Sequence, residues 1–179
     1  SREAVAEAVM PIFDRQLALI ESIALEIELT PEQEAIAADV LARKAEYLPA
    51  AAAAAALKQA VLRYGKVANY EHPPGLVTSC NFAMTYLALS AAGEASAQRQ
   101  RSLVTQAVRL LQHGVSEGYP WSLFCLARTH AVLGMQKETK RLLQQLVQMG
   151  YNVFSDPLPR HLSDFRRFLD APWFSAVVR

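Results

Sequence analysis

The side chains able to carry nucleophilic, acid–base or metal chemistry are few and widely spaced in this sequence. The two cysteines are Cys80 and Cys125. The four histidines are scattered along the chain: His72, His113, His130 and His161. No histidine has a second His or Cys three or four residues away, which is the spacing typical of metal sites. On one helix, Cys125 and His130 would lie about 140° apart around the axis, so they would not form a nucleophile and its base. We predict no metal site and two buried free thiols.

Acidic pairs and glycines do not form a catalytic pattern either. The pairs Glu26/Glu28 and Glu32/Glu34 fit solvated helix faces better than paired catalytic acids. The sequence lacks the dinucleotide, phosphate-loop, zinc-protease, serine-hydrolase and calcium-loop motifs. Five glycines instead stand where helices are expected to end: Gly65, Gly93, Gly118, Gly134 and Gly150. We therefore expect a non-enzymatic protein with no catalytic residue and no cofactor.

Length and charge restrict the class of protein. A chain of 179 residues is long enough for one compact domain or one short solenoid, so we predict a single domain over 1–179. Eighteen basic and seventeen acidic side chains leave a formal charge of +1, which gives no net field for nucleic acid or an anionic membrane. The longest uncharged stretch, 72–93, approaches membrane-spanning length. Its prolines and polar side chains favour a buried helix over membrane insertion.

The amino terminus gives an expectation about location. Glu3, Glu7 and Asp14 interrupt any apolar core within 1–30, and no small-residue cleavage site follows one, so these residues do not resemble a signal peptide. The sequence also begins without an initiator Met, which favours an excised domain or a mature form. We expect a cytoplasmic location.

Apolar residues recur at helical spacing along the first third of the chain. The first predicted helix, 2–29, carries one stripe: Val5, Val9, Phe13, Leu17, Ile20, Ala24 and Ile27. Thr30, Pro31 and Gln33 form a start signal for a second helix. The stripe of that helix contains Ile36, Val40, Leu41, Ala45 and Leu48. A third helix is predicted to run through seven consecutive alanines, whose small side chains favour a close helix contact, and to end at Gly65.

The rest of the chain is also predicted to be helical, since no segment alternates apolar and polar residues as a strand would. A loop is expected at 66–75, the best candidate for an internal boundary. The helices predicted after it cover 76–92, 101–115, 120–134 and 137–149. Two short helical pieces separated by Pro172 complete the chain. The sequence thus predicts an all-α fold.

The sequence at the end of one predicted helix occurs again at the end of another. Residues 109–119 read RLLQHGVSEGY and residues 141–151 read RLLQQLVQMGY, which share seven of eleven residues at an offset of 32 positions. Together with the leucine pattern and the turn at Gly134 between them, this resembles the tetratricopeptide repeat, a helical hairpin of about 34 residues. The sequence departs from that family at His130, where an aromatic residue is common, and at Thr139, where Ala is usual.

The resemblance implies two antiparallel hairpins over 76–156 stacked as a short solenoid, and a C-terminal cap over 157–179 similar to that of many bacterial tetratricopeptide domains. N-terminal helices of unassigned type, 1–65, would pack on it. The resemblance also implies a scaffold or adaptor that binds a protein or peptide partner in a groove. The groove would be lined by aromatic, basic and apolar side chains: Trp121, Phe124, Arg128, Met84 and Leu87. Such a surface suits a peptide with an apolar anchor and a carboxylate.

Two alternatives remain open at this point. Trp121 and Phe124 are core residues if the N-terminal helices fold across the groove and cover them. The chain is an all-helical regulatory or sensory domain if its core contains an apolar cavity with a few polar groups, which would hold a small ligand.

The N-terminal helix also carries apolar residues beyond its main stripe, namely Leu19, Leu25 and Leu29. A helix that is apolar on two sides is normally covered twice, by a further helix of its own chain or by another subunit. Self-association through the N-terminal helix is therefore one of two explanations for these residues.

Overall fold

The computed structural model describes residues 2–68, 75–92, 96–151 and 159–178. Within these ranges the chain is helical and contains no strand, which confirms the all-α prediction. The helices are α1 (Arg2–Ala24), α2 (Pro31–Ala45), α3 (Ala50–Ala68), α4 (Leu76–Ala92), α5 (Ala97–Ser116), α6 (Pro120–Val132), α7 (Gln136–Gln148), α8 (Pro159–Leu162) and α9 (Pro172–Val178), with a 3₁₀ turn at Ser163–Phe165. The turn predicted at Gly93 lies outside the described residues, as does most of the loop predicted at 66–75.

The chain divides into two compact units, which we describe separately. Unit 1 is Ser1–Leu103 and unit 2 is Val104–Arg179, so the boundary falls inside α5. The sequence predicted a single domain, with the best internal boundary at 66–75. The boundary between the two units lies about thirty residues later, within a helix that the sequence assigned to one hairpin, and the single domain stays a prediction.

Two helix boundaries differ from the sequence prediction. α3 continues three residues past Gly65, which keeps a right-handed conformation, and the added turn buries Val67. A glycine ends a helix when it adopts a left-handed conformation, and Gly65 does not. α5 begins at Ala97, four residues earlier than expected, because the Ser96 hydroxyl accepts a hydrogen bond from the backbone N–H of Arg99 at 3.4 Å.

The core of unit 1 forms where α3 packs against α2 and α4. The start signal of α2 is confirmed as a capping box, in which Gln33 N–H donates to Thr30 Oγ1 at 3.3 Å and Thr30 N–H donates to Gln33 Oε1 at 2.8 Å. The alanine-rich face of α3 is buried, as predicted for a close helix contact. It forms an apolar cluster with the neighbouring helices: Ala45, Ala53, Ala56, Leu57 and Leu89.

The predicted stripe of α1 is buried only in part. α1 passes through Pro11 without a break and ends at Ala24, five residues before the expected end. Leu17 is buried, whereas Val5 and Ile27 are exposed. The reason is that α1 packs along α2, and one neighbouring helix covers only a narrow strip of its surface. Ile36, which the sequence assigns to the stripe of α2, is also exposed.

A polar cluster, in which Tyr64 is buried and Asp39 and Asn81 are half-buried, joins three helices of unit 1. The Tyr64 hydroxyl on α3 donates a hydrogen bond to Asp39 Oδ1 on α2, and Asn81 Nδ2 on α4 donates to the same oxygen at 3.0 Å. Burial, followed by the hydrogen bond to Asp39, raises the pKa of Tyr64 far above its ordinary value, so the phenol stays protonated in the folded chain. The Tyr64 ring also stacks on Phe82 at a centroid distance of 4.9 Å. The cluster therefore fixes the positions of α2, α3 and α4 relative to one another.

Unit 2 is built on a hairpin of α6 and α7. Leu142, Leu143 and Leu146 of α7 are fully buried. The hairpin turns at Gly134, whose φ is +75°. There the N–H of Gly134 donates to Ala131 O at 3.0 Å, and the N–H of Met135 donates to His130 O at 2.9 Å. These two hydrogen bonds form a Schellman helix ending. The C-terminal segment packs on the hairpin and buries aromatic side chains: Phe165, Phe168 and Phe174.

The two similar sequence segments, 109–119 and 141–151, end with the same backbone structure. Gly118 and Gly150 have φ values of +67° and +73°, and each donates to the carbonyl three residues before it, at 3.1 and 2.9 Å. Tyr119 N–H donates to Gly114 O at 2.8 Å, and Tyr151 N–H donates to Leu146 O at 3.0 Å. Both helices therefore end in the same Schellman motif. The second predicted hairpin, α4 with α5, spans the boundary between units and stays a prediction.

Tyr64→Phe should lower the free energy of unfolding by about 1 to 3 kcal/mol, because Asp39 loses a buried hydrogen-bond donor. Urea denaturation followed by circular dichroism measures the change. Tyr47→Phe is the matched control, since its ring contact with Phe13 does not need the hydroxyl. Equal effects of the two substitutions would show that the cluster does not stabilise the fold.

Leu143→Ala should lower the free energy of unfolding by about 2 to 5 kcal/mol, because the leucine is fully buried and its removal leaves a cavity. Val147→Ala on the same helix is the control, and its half-exposed side chain predicts a much smaller loss. A small change for Leu143→Ala in thermal or urea unfolding would contradict the assignment of this residue to the core.

Candidate functional site

The face of α6 that was predicted to bind a partner is covered by the chain's own C-terminal segment. Phe124 is only 1% exposed, and its ring lies 6.1 Å from that of Phe165 and 6.0 Å from that of His161. Trp121 is half-buried and contacts His161 edge-on at 6.5 Å. Phe124 is thus a core residue and not part of an open groove. The alternative in which Phe124 is a core residue is therefore correct. Residues 161–165 cover it, however, and not the N-terminal helices that the sequence predicted would do so.

Arg128, the predicted cation of the groove, forms an ion pair within unit 2. Its Nε donates to Asp164 Oδ2 at 2.7 Å, and both side chains are largely shielded from solvent. The expected external partner had an apolar anchor and a carboxylate. The chain itself supplies both groups at this face, as Phe165 and Asp164.

The remaining predicted groove residues lie in the other unit. Leu87 on α4 is buried, as is Cys80, and Met84 is half-buried. Because α4 belongs to unit 1 and α6 to unit 2, no single unit contains the whole predicted surface. The burial of both thiols, Cys80 and Cys125, confirms that part of the sequence interpretation.

Three large apolar side chains are exposed near the C-terminal end of α1 and in the segment that leads to α2. Leu19, Leu25 and Ile27 are 62%, 89% and 59% exposed. Acidic residues stand among them, and those at positions 26 and 28 make no ion pair within the described ranges. We name this the acidic apolar surface, formed by Leu19, Glu21, Leu25, Glu26, Ile27 and Glu28. The sequence assigned Leu19, Leu25 and Leu29 to a second apolar side, and of these only Leu29 is buried.

A cleft of about 620 Å³ adjoins the acidic apolar surface. Its lining combines apolar residues from the α1–α2 segment with charged residues from α2 and α3: Ala24, Ile27, Glu28, Leu29, Glu34, Arg63 and Lys66. Arg63 and Lys66 are three positions apart on α3, so their side chains leave the helix on the same side. The cleft therefore offers both an apolar wall and a charged floor.

Glu34 is the central charge of this cleft. Its carboxylate is buried, and it accepts hydrogen bonds from Arg63 Nη1 at 2.8 Å and from Lys66 Nζ at 2.6 Å. The interpretation of Glu32 and Glu34 as a solvated pair is therefore wrong for Glu34, whereas Glu32 is exposed. The sequence placed Glu34 in the first turn of a helix, but the basic pair of α3 reaches it only after the helices have packed together.

The pKa of Glu34 follows from these contacts. Burial raises the pKa, but the hydrogen bonds and charges of Lys66 and Arg63 together outweigh burial, so the pKa lies below its ordinary value of 4.5. A carboxyl with a lowered folded-state pKa stabilises the fold at pH values above 4.5, and this contribution is lost as the pH falls further.

His130, where the sequence departs from the repeat family, is half-buried near the end of α6. Its Nδ1 atom is buried and has no hydrogen-bond partner among the described residues. Burial lowers the pKa of His130, so its neutral form is favoured. Within the described ranges, no three His, Cys, Asp or Glu side chains lie close enough together to hold a metal ion.

Glu34→Gln should lower the free energy of unfolding at pH 7 by about 1 to 3 kcal/mol, because two hydrogen bonds to a buried charge are weakened. The difference from the unsubstituted chain should shrink as the pH falls below 4.5. Urea unfolding at several pH values measures both effects. Glu32→Gln is the exposed control on the same turn, and a loss that did not depend on pH would contradict the assigned charge of Glu34.

Comparison with known proteins identifies no relative whose function could suggest one for this chain. No family model, no curated protein and no solved structure shows a significant match to the chain. Across the described residues, none of the helices has both the length and the apolar character needed to cross a membrane.

Proposed function

We propose that this chain is a non-enzymatic interaction module, a scaffold that binds a protein or peptide partner. The observation that carries the proposal is the acidic apolar surface. Single exposed apolar side chains are common, but Leu19, Leu25 and Ile27 are three exposed apolar residues close together in sequence around the end of α1, and Leu25 is almost fully exposed. Groups of this kind are typical of protein-binding surfaces.

The charges around these residues define the partner that fits. Four exposed acidic residues stand between or beside the apolar ones, namely Glu21, Glu26, Glu28 and Glu32. A partner with basic residues flanking an apolar face, such as a basic amphipathic helix, would complement both properties. The module then selects its partner by charge and binds it through the apolar contacts.

The tetratricopeptide-like organisation is part of the same proposal. It is supported by the α6–α7 hairpin, by the turn at Gly134 and by the repeated helix endings at Gly118 and Gly150. In this organisation the segment around Phe165 is a cap that covers the last hairpin, because a terminal hairpin otherwise exposes an apolar face.

A second function is favoured by the cleft beside Glu34. A volume of about 620 Å³ is in the range of small-molecule sites, and Arg63 and Lys66 each carry N–H groups beyond the one given to Glu34. A regulatory or sensory domain that binds an amphipathic anion would use these donors together with the wall formed by Ile27 and Leu29. Native mass spectrometry of the purified chain detects a retained small ligand.

Selection of peptides from a random display library on the immobilised chain tests the interaction function. We expect enrichment of peptides that combine Lys or Arg with large apolar residues. Leu25→Asp should weaken binding of the enriched peptides at least about tenfold, because central interface side chains contribute about 2 kcal/mol or more. Fluorescence anisotropy with the labelled peptide measures the change.

Leu62→Asp is the matched control, since this leucine on α3 is 70% exposed and lies outside the proposed surface. Binding should be unchanged in this variant. Enrichment of acidic peptides, or equal losses in the two variants, would overturn the proposed surface. A small molecule retained by the chain and released by Lys66→Gln would then favour the second function.

A further inference from the structure

The two units of this nearly neutral chain carry charges of opposite sign. Unit 1 contains twelve acidic and nine basic residues, a formal charge of −3, whereas unit 2 contains five acidic and nine basic residues, a formal charge of +4. Residues 16–42, which include the whole acidic apolar surface, contain six acidic residues and no basic one. The overall charge of +1 conceals this separation.

Unit 2 has an exposed apolar group with the complementary charge, located at the turn between α6 and α7. Leu133 and Met135 flank Gly134, and both are exposed. Lys137 is exposed in the first turn of α7. Arg167 Nη1 lies 2.9 Å from the position that a Cβ atom on Gly134 would take, so its guanidinium lies against the turn. We name Leu133, Met135, Lys137 and Arg167 the basic apolar surface.

We propose that the acidic apolar surface of one copy binds the basic apolar surface of a second copy. The inference rests on the proposed function, because it names the partner of the same surface. Leu25 and Ile27 would pack against Leu133 and Met135, and the carboxylates of unit 1 would face Lys137 and Arg167. Both sides of this contact combine apolar side chains with charge, and the charges are of opposite sign.

The same charges argue against pairing of two acidic apolar surfaces. In a symmetric contact between two acidic apolar surfaces, Glu26 and Glu28 of one copy would approach the same residues of the other, and like charges repel. A contact between different surfaces has no such penalty. Each copy then has one acidic and one basic surface free to bind further copies, so the association is head-to-tail.

Measurement of the weight-average mass by sedimentation or light scattering tests the inference. The mass should rise above the monomer value of 19.8 kDa as the concentration increases toward about 1 mM, since small interfaces are weak. It should fall back to 19.8 kDa when the salt concentration is raised from about 50 to about 500 mM, because exposed charges are screened. A constant monomer mass at low salt would overturn the inference.

Charge reversal identifies the surfaces. The double variant Glu26→Lys/Glu28→Lys should remain monomeric at low salt, and so should Lys137→Glu/Arg167→Glu. An equimolar mixture of the two should recover the mass increase, because each reversed surface then meets its complement. A symmetric contact through α1 predicts that Lys137→Glu/Arg167→Glu associates like the unsubstituted chain, and this result would overturn the proposal.

Exposed charges elsewhere supply the controls. Lys58→Glu on α3 and Glu117→Lys after α5 should associate like the unsubstituted chain. Circular dichroism and thermal melting show whether each variant is folded. Recovery of the mass increase in the mixture shows independently that the substitutions removed the contact and not the fold. Peptide selection on the acidic apolar surface gives a separate result. Enriched basic peptides with a monomeric chain would reject self-association and leave the proposed function standing.

Discussion

Close packing between α2 and α3 is the interaction on which the rest of unit 1 depends. Because the contacting face of α3 is rich in alanine, the two helices approach closely, and this brings Glu34 within hydrogen-bond distance of Arg63. The same approach places the Tyr64 hydroxyl on Asp39. The polar groups on this side of α2 are therefore paired within the unit. α1 packs along α2 through a narrow strip centred on Leu17, and its other apolar side stays open to solvent.

Local signals predicted the helices well, because a helix end is decided by a few neighbouring residues. The capping box at Thr30 and the turn at Gly134 are both present in the structure. The errors depend on contacts that are distant in sequence. Whether Glu34 is solvated and what covers Phe124 are both decided by the element packed opposite each residue. A single sequence does not specify that element.

The candidate surface was visible in the sequence only in part. Leu19 and Leu25 were recognised as a second apolar side of the first helix, because helical spacing alone places them away from the main stripe. The sequence analysis interprets Glu26 and Glu28 as ordinary solvated charges. That they stand beside exposed leucines becomes clear only from the exposure of Leu19 and Leu25 in the structure. The basic counterpart was not predicted, since Arg167 reaches Gly134 only through the packing of the C-terminal segment on the hairpin.

The division into two units has a spectroscopic consequence. Both tryptophans, Trp121 and Trp173, belong to unit 2, whereas unit 1 contains tyrosine as its only intrinsic fluorophore besides phenylalanine. Selectively excited indole emission thus reports on 104–179 alone. Far-ultraviolet ellipticity reports on the helices of both units. The native chain therefore already carries a label that distinguishes stepwise melting of the units from a single cooperative transition.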